Sequence, residues 1–467
     1  MKADIGRVTF EPSKHYERVV MQQGRVQIES DWNEQVAIFL RGLRGLAADL
    51  IGPWGGAAGA FSIDVSADGS RDFSIGSGRY YVDGILCESG ADVSYLNQPY
   101  FQVPEDELLQ RPDEGELNYL VYLDVWELLV TAAEDEDIRE VALGGPDTAA
   151  RARLVWQVRV KLMDAEALVD ADCANISGRW PTLLEEIESQ ARGRMRARAK
   201  VSDEDIERPC AIDPRAAYRF DENALFRVEV HQPGDADTAT FKWSLDNGAV
   251  VFGVERFGGT RVRLKSLGRD ARLTLNAGDW VEVEFDDYVL QNRAEPLFLV
   301  EDVDYSDLTV TLDREPAPVA AAQHPRLRRW DQKGTNQNPL ADDGTVQLTE
   351  VPASSDAWLG LSYGVQVQFV APEPGEPANR YRTGDFWLIP ARTAVADVLW
   401  PRETDASGAT VPAARPPDGV EHHYAPLAYL TVNAAGTVDI PARFVRVIPP
   451  AAQCPPAAVT ARRRRGR

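Results

Sequence analysis

The sequence predicts a mainly β protein, built from several small β-sandwich or barrel domains with an N-terminal helix and a helical connector. Three observations predict it. Short runs rich in β-branched and aromatic residues recur between Gly, Pro, Asn and Asp turn signals along most of the chain. Helical periodicity is confined to two segments. The 467 residues exceed what one core organises, at about 100–200 residues per domain.

Residues 1–60 read as a helical docking segment. Ser30 and Asp31 precede the helix, and Asp31 with Glu34 has the spacing of a cap whose carboxylates accept from free N–H groups. Val36, Phe39, Leu40, Leu43, Leu46, Ala47 and Leu50 follow in steps of three and four, which line one helix face. Gly52-Pro53 ends the helix. Gly42 and Gly45 weaken it in isolation and permit close backbone approach. The stripe either packs into the chain's own core or meets other subunits. In the second case Trp32, Val36, Phe39, Leu43, Leu46 and Leu50 are the contact residues.

Residues 61–170 form the first β domain. Ser74 to Leu86 reads as strand, turn, strand, with Asp83-Gly84 as a tight turn in which glycine reaches positive φ without strain. Tyr119–Val130 is a buried strand, Ala133–Pro146 an acidic loop and Leu154–Leu162 an alternating strand. Residues 171–212 are a helical linker. Its helix, Leu183–Lys200, is acidic first and basic last, which complements the helix dipole, and Asp213-Pro214 closes it.

A second β domain, barrel or sandwich, covers 213–320. Its strands are Leu225–Val230, Thr240–Ser244, Val250–Val254, Val262–Leu264, Leu273–Leu275, Trp280–Phe285, Leu297–Val300 and Leu308–Leu312, with a hairpin turn at Asp246-Asn247-Gly248. A third β region, 321–445, holds Val365–Phe369, Arg382–Ile389 and Leu427–Val432 between proline-rich loops. Residues 446–467 read as a disordered basic tail ending in Arg462 to Arg465, Gly466 and Arg467.

Composition narrows the function. Lys and Arg number 50 against 73 Asp and Glu, a net charge of −23, which disfavours nucleic acid as a partner. No apolar run approaches the roughly 18 residues of a membrane span, and the first residues lack an apolar signal region, so assembly in the cytoplasm is expected. Cys87, Cys173, Cys210 and Cys454 lack the spacing of a disulfide framework or zinc knuckle.

The chain has no phosphate-binding loop, nucleophile elbow or His-Glu-x-x-His. Asp302, Asp304 and Asp307 approach a calcium loop but lack its glycine. His422 and His423 sit on a strand, where neighbours face opposite ways, so both holding one metal is not expected. Pairing of one with a distant acid, or a role for one as general base, is open, and a satisfied loop or interface histidine is the favoured reading. No catalytic, cofactor-binding or metal residue is therefore assigned. Trp54, Trp243, Trp280, Trp358, Trp387 and Trp400 lie in polar or glycine-bearing contexts, where sugar stacking competes with core packing, the favoured reading.

Several stretches resemble one family of uncharacterised bacterial proteins. They include Arg7 to Tyr16, Met21-Gln22-Gln23-Gly24-Arg25-Val26, Asp31-Trp32-Asn33-Glu34-Gln35, Tyr122 to Glu127, Ala142 to Thr148, Phe241 to Gly248, Tyr381 to Arg392 and Glu421 to Tyr424. Members of that family occur alongside phage-tail-like contractile injection systems. The resemblance implies a structural, non-enzymatic component of such a particle at the baseplate, spike or tail fibre, with other copies of itself and other particle proteins as partners. A module binding cell-surface glycans is the alternative, and a polysaccharide or peptidoglycan hydrolase is the third reading.

Overall fold

In a computed structural model the chain is described over residues 1–66, 71–187, 193–200, 217–268, 270–317, 323–334, 339–405 and 408–448. The fold is mainly β, and its strands surround three separate buried clusters. These three units are nested along the chain.

The outer unit is a four-stranded antiparallel sheet in the order Val438–Arg443, His422–Asn433, Glu116–Val130, Arg151–Met163. Small sheets from residues 54–94 and the helix Ile176–Ile187 cover it, with Phe61, Phe73, Tyr80 and Tyr95 fully buried between them. Asp83-Gly84 makes the expected tight turn, with φ of 48° and 78°, joining Gly78–Val82 to Ile85–Ser89.

The sandwich lies between Met163 and His422 in sequence. One sheet runs Val346–Gln347, Thr240–Ser244, Ala224–Val230, Phe386–Arg392, Asp397–Val398. It shares a core with a second sheet centred on Val365–Val370. The barrel is inserted in turn between Ser244 and Val346. It closes in the order Val251–Gly258, Arg261–Leu264, Thr309–Leu312, Phe298–Asp304, Trp280–Glu284, Arg326–Trp330.

Strand alternation builds an ionic layer where sandwich meets barrel. On Ala224–Val230, Phe226 and Val228 face the sandwich core while Arg227 and Glu229 face the other way. On the barrel, Val281, Val283 and Leu327 face inward, and Glu282, Glu284, Arg326 and Arg328 face outward. All of these charged side chains are buried. Lys242 Nζ meets Glu282 at 2.6 Å, and Arg328 Nε donates to Glu284 at 2.8 Å.

Five expectations are corrected. The helix read over Leu183–Lys200 is Ile176–Ile187, and Arg194–Ala199 is a strand antiparallel to Val365–Val370. The cause is alternation: Met195 and Ala197 enter the core, while Arg196 reaches Glu403 at 3.1 Å and Arg198 covers the Trp358 ring. Asn247 and Gly248 do have positive φ, but the strands they join lie in different units, so no hairpin forms. Leu273–Leu275 is not a strand, because the Asp270 carboxylate takes the Arg272 and Leu273 N–H groups. Strands of the 321–445 region are shared among all three units. The disordered tail read from 446 starts too early, because Gly56 N–H donates to Arg446 O at 2.9 Å and Ile448 N–H to Gly56 O at 2.8 Å; the linker residues 201–212, Asp213-Pro214, Cys210, Cys454 and residues 449–467 lie outside the described residues.

Candidate functional site

The N-terminal helix spans Glu29–Ile51, starting before the Asp31–Glu34 pair read as its cap, and no side chain caps it. Gly52 closes its far end, with its N–H on Ala48 O at 2.7 Å. One side holds it to the outer unit: Ser30 is buried, and Ala37, Arg44 and Ile51 follow at seven-residue steps as half-buried positions. Arg44 pairs with Glu127. The Gly84 backbone sits so close to Arg44 that an added Cβ would stand 2.0 Å from the Arg44 carbonyl oxygen.

The apolar stripe is on the opposite side, at about 100° per residue. Trp32, Val36, Phe39, Leu43, Leu46 and Leu50 are all exposed, Trp32 by 74% and Leu50 by 77%. The reading in which this stripe fills the chain's own core is therefore corrected. A stripe wide enough for core packing lies along the helix, but none of its residues joins the outer unit's buried cluster. Ahead of the helix, Tyr16, Val20, Met21 and Val26 are exposed as well. Gly6 N donates to Glu29 at 2.9 Å and Val19 N to Gln35 at 2.8 Å, fixing this segment along the helix.

A second feature is a cavity of about 390 Å³ where the three units meet, lined among others by Lys2, Asp124, Trp126, Glu284, Arg328 and His422. Lys2 is inserted into the ionic layer, 3.0 Å from Glu229 and 3.6 Å from Glu284. Burial lowers the Lys2 ammonium against the pull of both carboxylates. Burial would raise Glu284, yet Arg328, Lys2 and Arg326 outweigh it and hold the carboxyl well below its ordinary range.

His422 and His423 face opposite ways, as strand neighbours do. His422 Nδ1 is 2.7 Å from buried Asp124, a residue nearly three hundred positions away, and its ring lies against Trp126. Arg159 approaches Asp124 at 3.8 Å. His423 meets Asp83 at 3.0 Å on the surface. The pair-with-a-distant-acid reading thus finds its acid. Sequence reasoning missed Lys2, Asp124 and Arg159; the only signal for Asp124 was a carboxylate inside a buried strand.

A family model described as a family of unknown function (DUF6519) matches residues 1–179 and 164–450. The chain belongs to that family. No curated protein and no solved structure is significantly similar to this DUF6519 member.

The remaining candidates resolve in the DUF6519 fold as follows. Trp54, Trp243, Trp387 and Trp400 are buried, and Trp280 and Trp358 are half-buried. Asp304 accepts from Ser306 and Asp307 pairs with Arg263, so these carboxylates do not converge. Among the described residues no cluster of His, Cys, Asp and Glu is arranged to hold a metal ion. Cys87 is buried, which pushes its thiol up to about 12, and Cys173 is an exposed free thiol. No helix among the described residues is long and apolar enough to cross a membrane.

Proposed function

We propose that this DUF6519 chain is a structural part of a phage-tail-like contractile injection particle, at its baseplate, spike or tail fibre. It is not an enzyme, and it assembles in the cytoplasm with copies of itself and other particle proteins. The observation that carries the reading is the apolar helix face held away from the body by a polar and small-residue seam. Contiguous apolar surface of this extent on a folded chain marks an interaction site. The ionic layer supports a rigid part, because Lys242 of the sandwich pairs with Glu282 of the barrel, Arg326 of the barrel with Glu134 of the outer unit, and Lys2 with both Glu229 and Glu284.

Sedimentation of contractile particles from producing cells, followed by mass spectrometry, tests the proposal. The chain is expected in the particle fraction at a fixed ratio to sheath. Recovery only in the supernatant refutes it.

A hydrolase reading draws on the His422–Asp124 pair facing the cavity. Alanine at both His422 and His423 leaving measured lysis unchanged removes it. Glycan binding draws on Trp280 and Trp358 alone, and a silent glycan array removes that.

A further inference from the structure

The exposed residues of the N-terminal helix have a spacing that names their partner. Trp32, Val36, Phe39, Leu43, Leu46 and Leu50 are separated by four, three, four, three and four residues. This is the alternating a/d spacing of a coiled-coil seam, kept from Trp32 to Leu50. Leu40 and Ala47 extend it to e, the width of an apolar helix face that packs in a bundle or a core, and the chain's own core does not cover it. A helix carrying the same a/d spacing is an occupant that fits this face.

Its identity follows from the flanks. Beside a coiled-coil seam, the e and g positions choose among partners through paired charges. Here they are Asn33, Leu40 and Ala47 on one side and Gln35, Gly42 and Asp49 on the other. One charge among six gives no code for a foreign helix. The seam itself is apolar from end to end and complements itself, as symmetric assemblies require. Among the described residues the other long helix, Ile176–Ile187, is no candidate, since its apolar residues Ile176, Trp180 and Leu183 are buried in the outer core.

Area and preorganisation also agree. From their exposed fractions, the seam residues with Leu40 offer roughly 700 Å² per copy, close to the ~800 Å² per partner of a standard interface. A free helix of this length is marginal in water. This one is already held to the outer unit by Arg44 on Glu127 and by Gly84 against the Arg44 carbonyl, so association does not have to order it. A Cβ added at Gly42, beside the seam, would meet nothing within 4 Å, which leaves room for a neighbouring backbone.

We infer that copies of this chain associate through their N-terminal helices, seam against seam, in a short coiled coil that leaves each body on the outside. The inference rests on the structural-component reading and deepens it by naming the partner of the apolar face as the same helix of another copy.

Light scattering on the size-exclusion eluate of the full chain tests it, comparing the parent with Leu43→Ser/Leu46→Ser. The parent is expected at a whole multiple of the 51.6 kDa chain mass. The variant is expected to fall at least two-fold to a single chain, with unchanged circular dichroism. A parent that runs as one chain overturns the inference, and so does a variant that keeps the parent mass. A second measurement stands apart from folding of that variant. Leu43→Cys treated with a short bismaleimide is expected to give a covalent dimer, and Arg41→Cys, on the far side of the helix, is not. Equal cross-linking at both positions, or at neither, also overturns it. Particle sedimentation reports on the broader reading separately, so a chain found in particles whose helix variant keeps its mass refutes the coil and leaves the structural role standing.

Discussion

His231 gives the sandwich a defined sensitivity to acid. The residue follows the strand Ala224–Val230, and its ring is fully buried. Nε2 lies 2.9 Å from the Glu295 carbonyl oxygen, an acceptor only, so the neutral ring carries its proton there. Nδ1 has no partner among the described residues. A second proton would create a buried cation with nothing to receive its hydrogen bond. Burial and then Lys242 push the group from 6.5 down to about 4. Between those values the unfolded chain binds a proton and the folded chain does not, so stability falls as pH falls through that window. At 1.36 kcal/mol per tenfold difference, the loss from pH 7 to below 4 is about 3 kcal/mol from this residue. Urea unfolding of the parent and His231→Gln at pH 7.5 and pH 4.5 measures it. Glutamine keeps a donor for Glu295 O, so the variant is expected close to the parent at pH 7.5 and to lose about 2 kcal/mol less on acidification. Parallel pH profiles for the two proteins refute the reasoning.

Other perturbations address the parts that position the helix and join the units. Glu284→Gln leaves Arg326, Arg328 and Lys2 facing a neutral group; an uncompensated buried charge costs about 3–5 kcal/mol, and calorimetry is expected to show a melting temperature lower by about 10 °C. Gly84→Ala places a Cβ against the Arg44 carbonyl at a φ of 78°, and is expected to loosen the N-terminal helix, seen as faster tryptic cleavage at Arg41 and Arg44. Gln98→Ala removes a side chain that both donates to Val158 O at 2.8 Å and accepts from Val158 N at 2.7 Å, so urea titration is expected to show a loss of about 1–3 kcal/mol.

Much of the strand content was legible because alternation and turn chemistry agree locally. Asp83-Gly84 was read as a turn from two residues, and it is one. The acidic-then-basic order of Leu183–Lys200 suits a helix dipole, yet Arg194–Ala199, Arg-Met-Arg-Ala-Arg-Ala, alternates perfectly, and that period of two decides the strand. The ionic layer was invisible for a different reason. Charged residues alternating with apolar ones along a strand look solvated, and only a second unit packing on that face turns Arg227, Glu229, Glu282 and Glu284 into interior groups. The helix stripe was legible as a stripe, yet its direction was not, because periodicity identifies a face without identifying what it meets. The His422–Asp124 pair depends on strand register between distant segments, which one sequence does not specify.

The nesting of the three units bears on how the chain is made. During synthesis the barrel is the first unit whose strands are all available, the sandwich the second, and the outer sheet the last. Glu116–Val130 emerges early and can hairpin with Arg151–Met163, but the strand that covers its other edge begins at His422. Until then a fifteen-residue apolar strand presents an open row of amide and carbonyl groups to every neighbour on the polysome. The interval between those two segments is thus the period of greatest aggregation risk, and a nascent chain stalled before residue 422 is the species that a chaperone would be needed to hold.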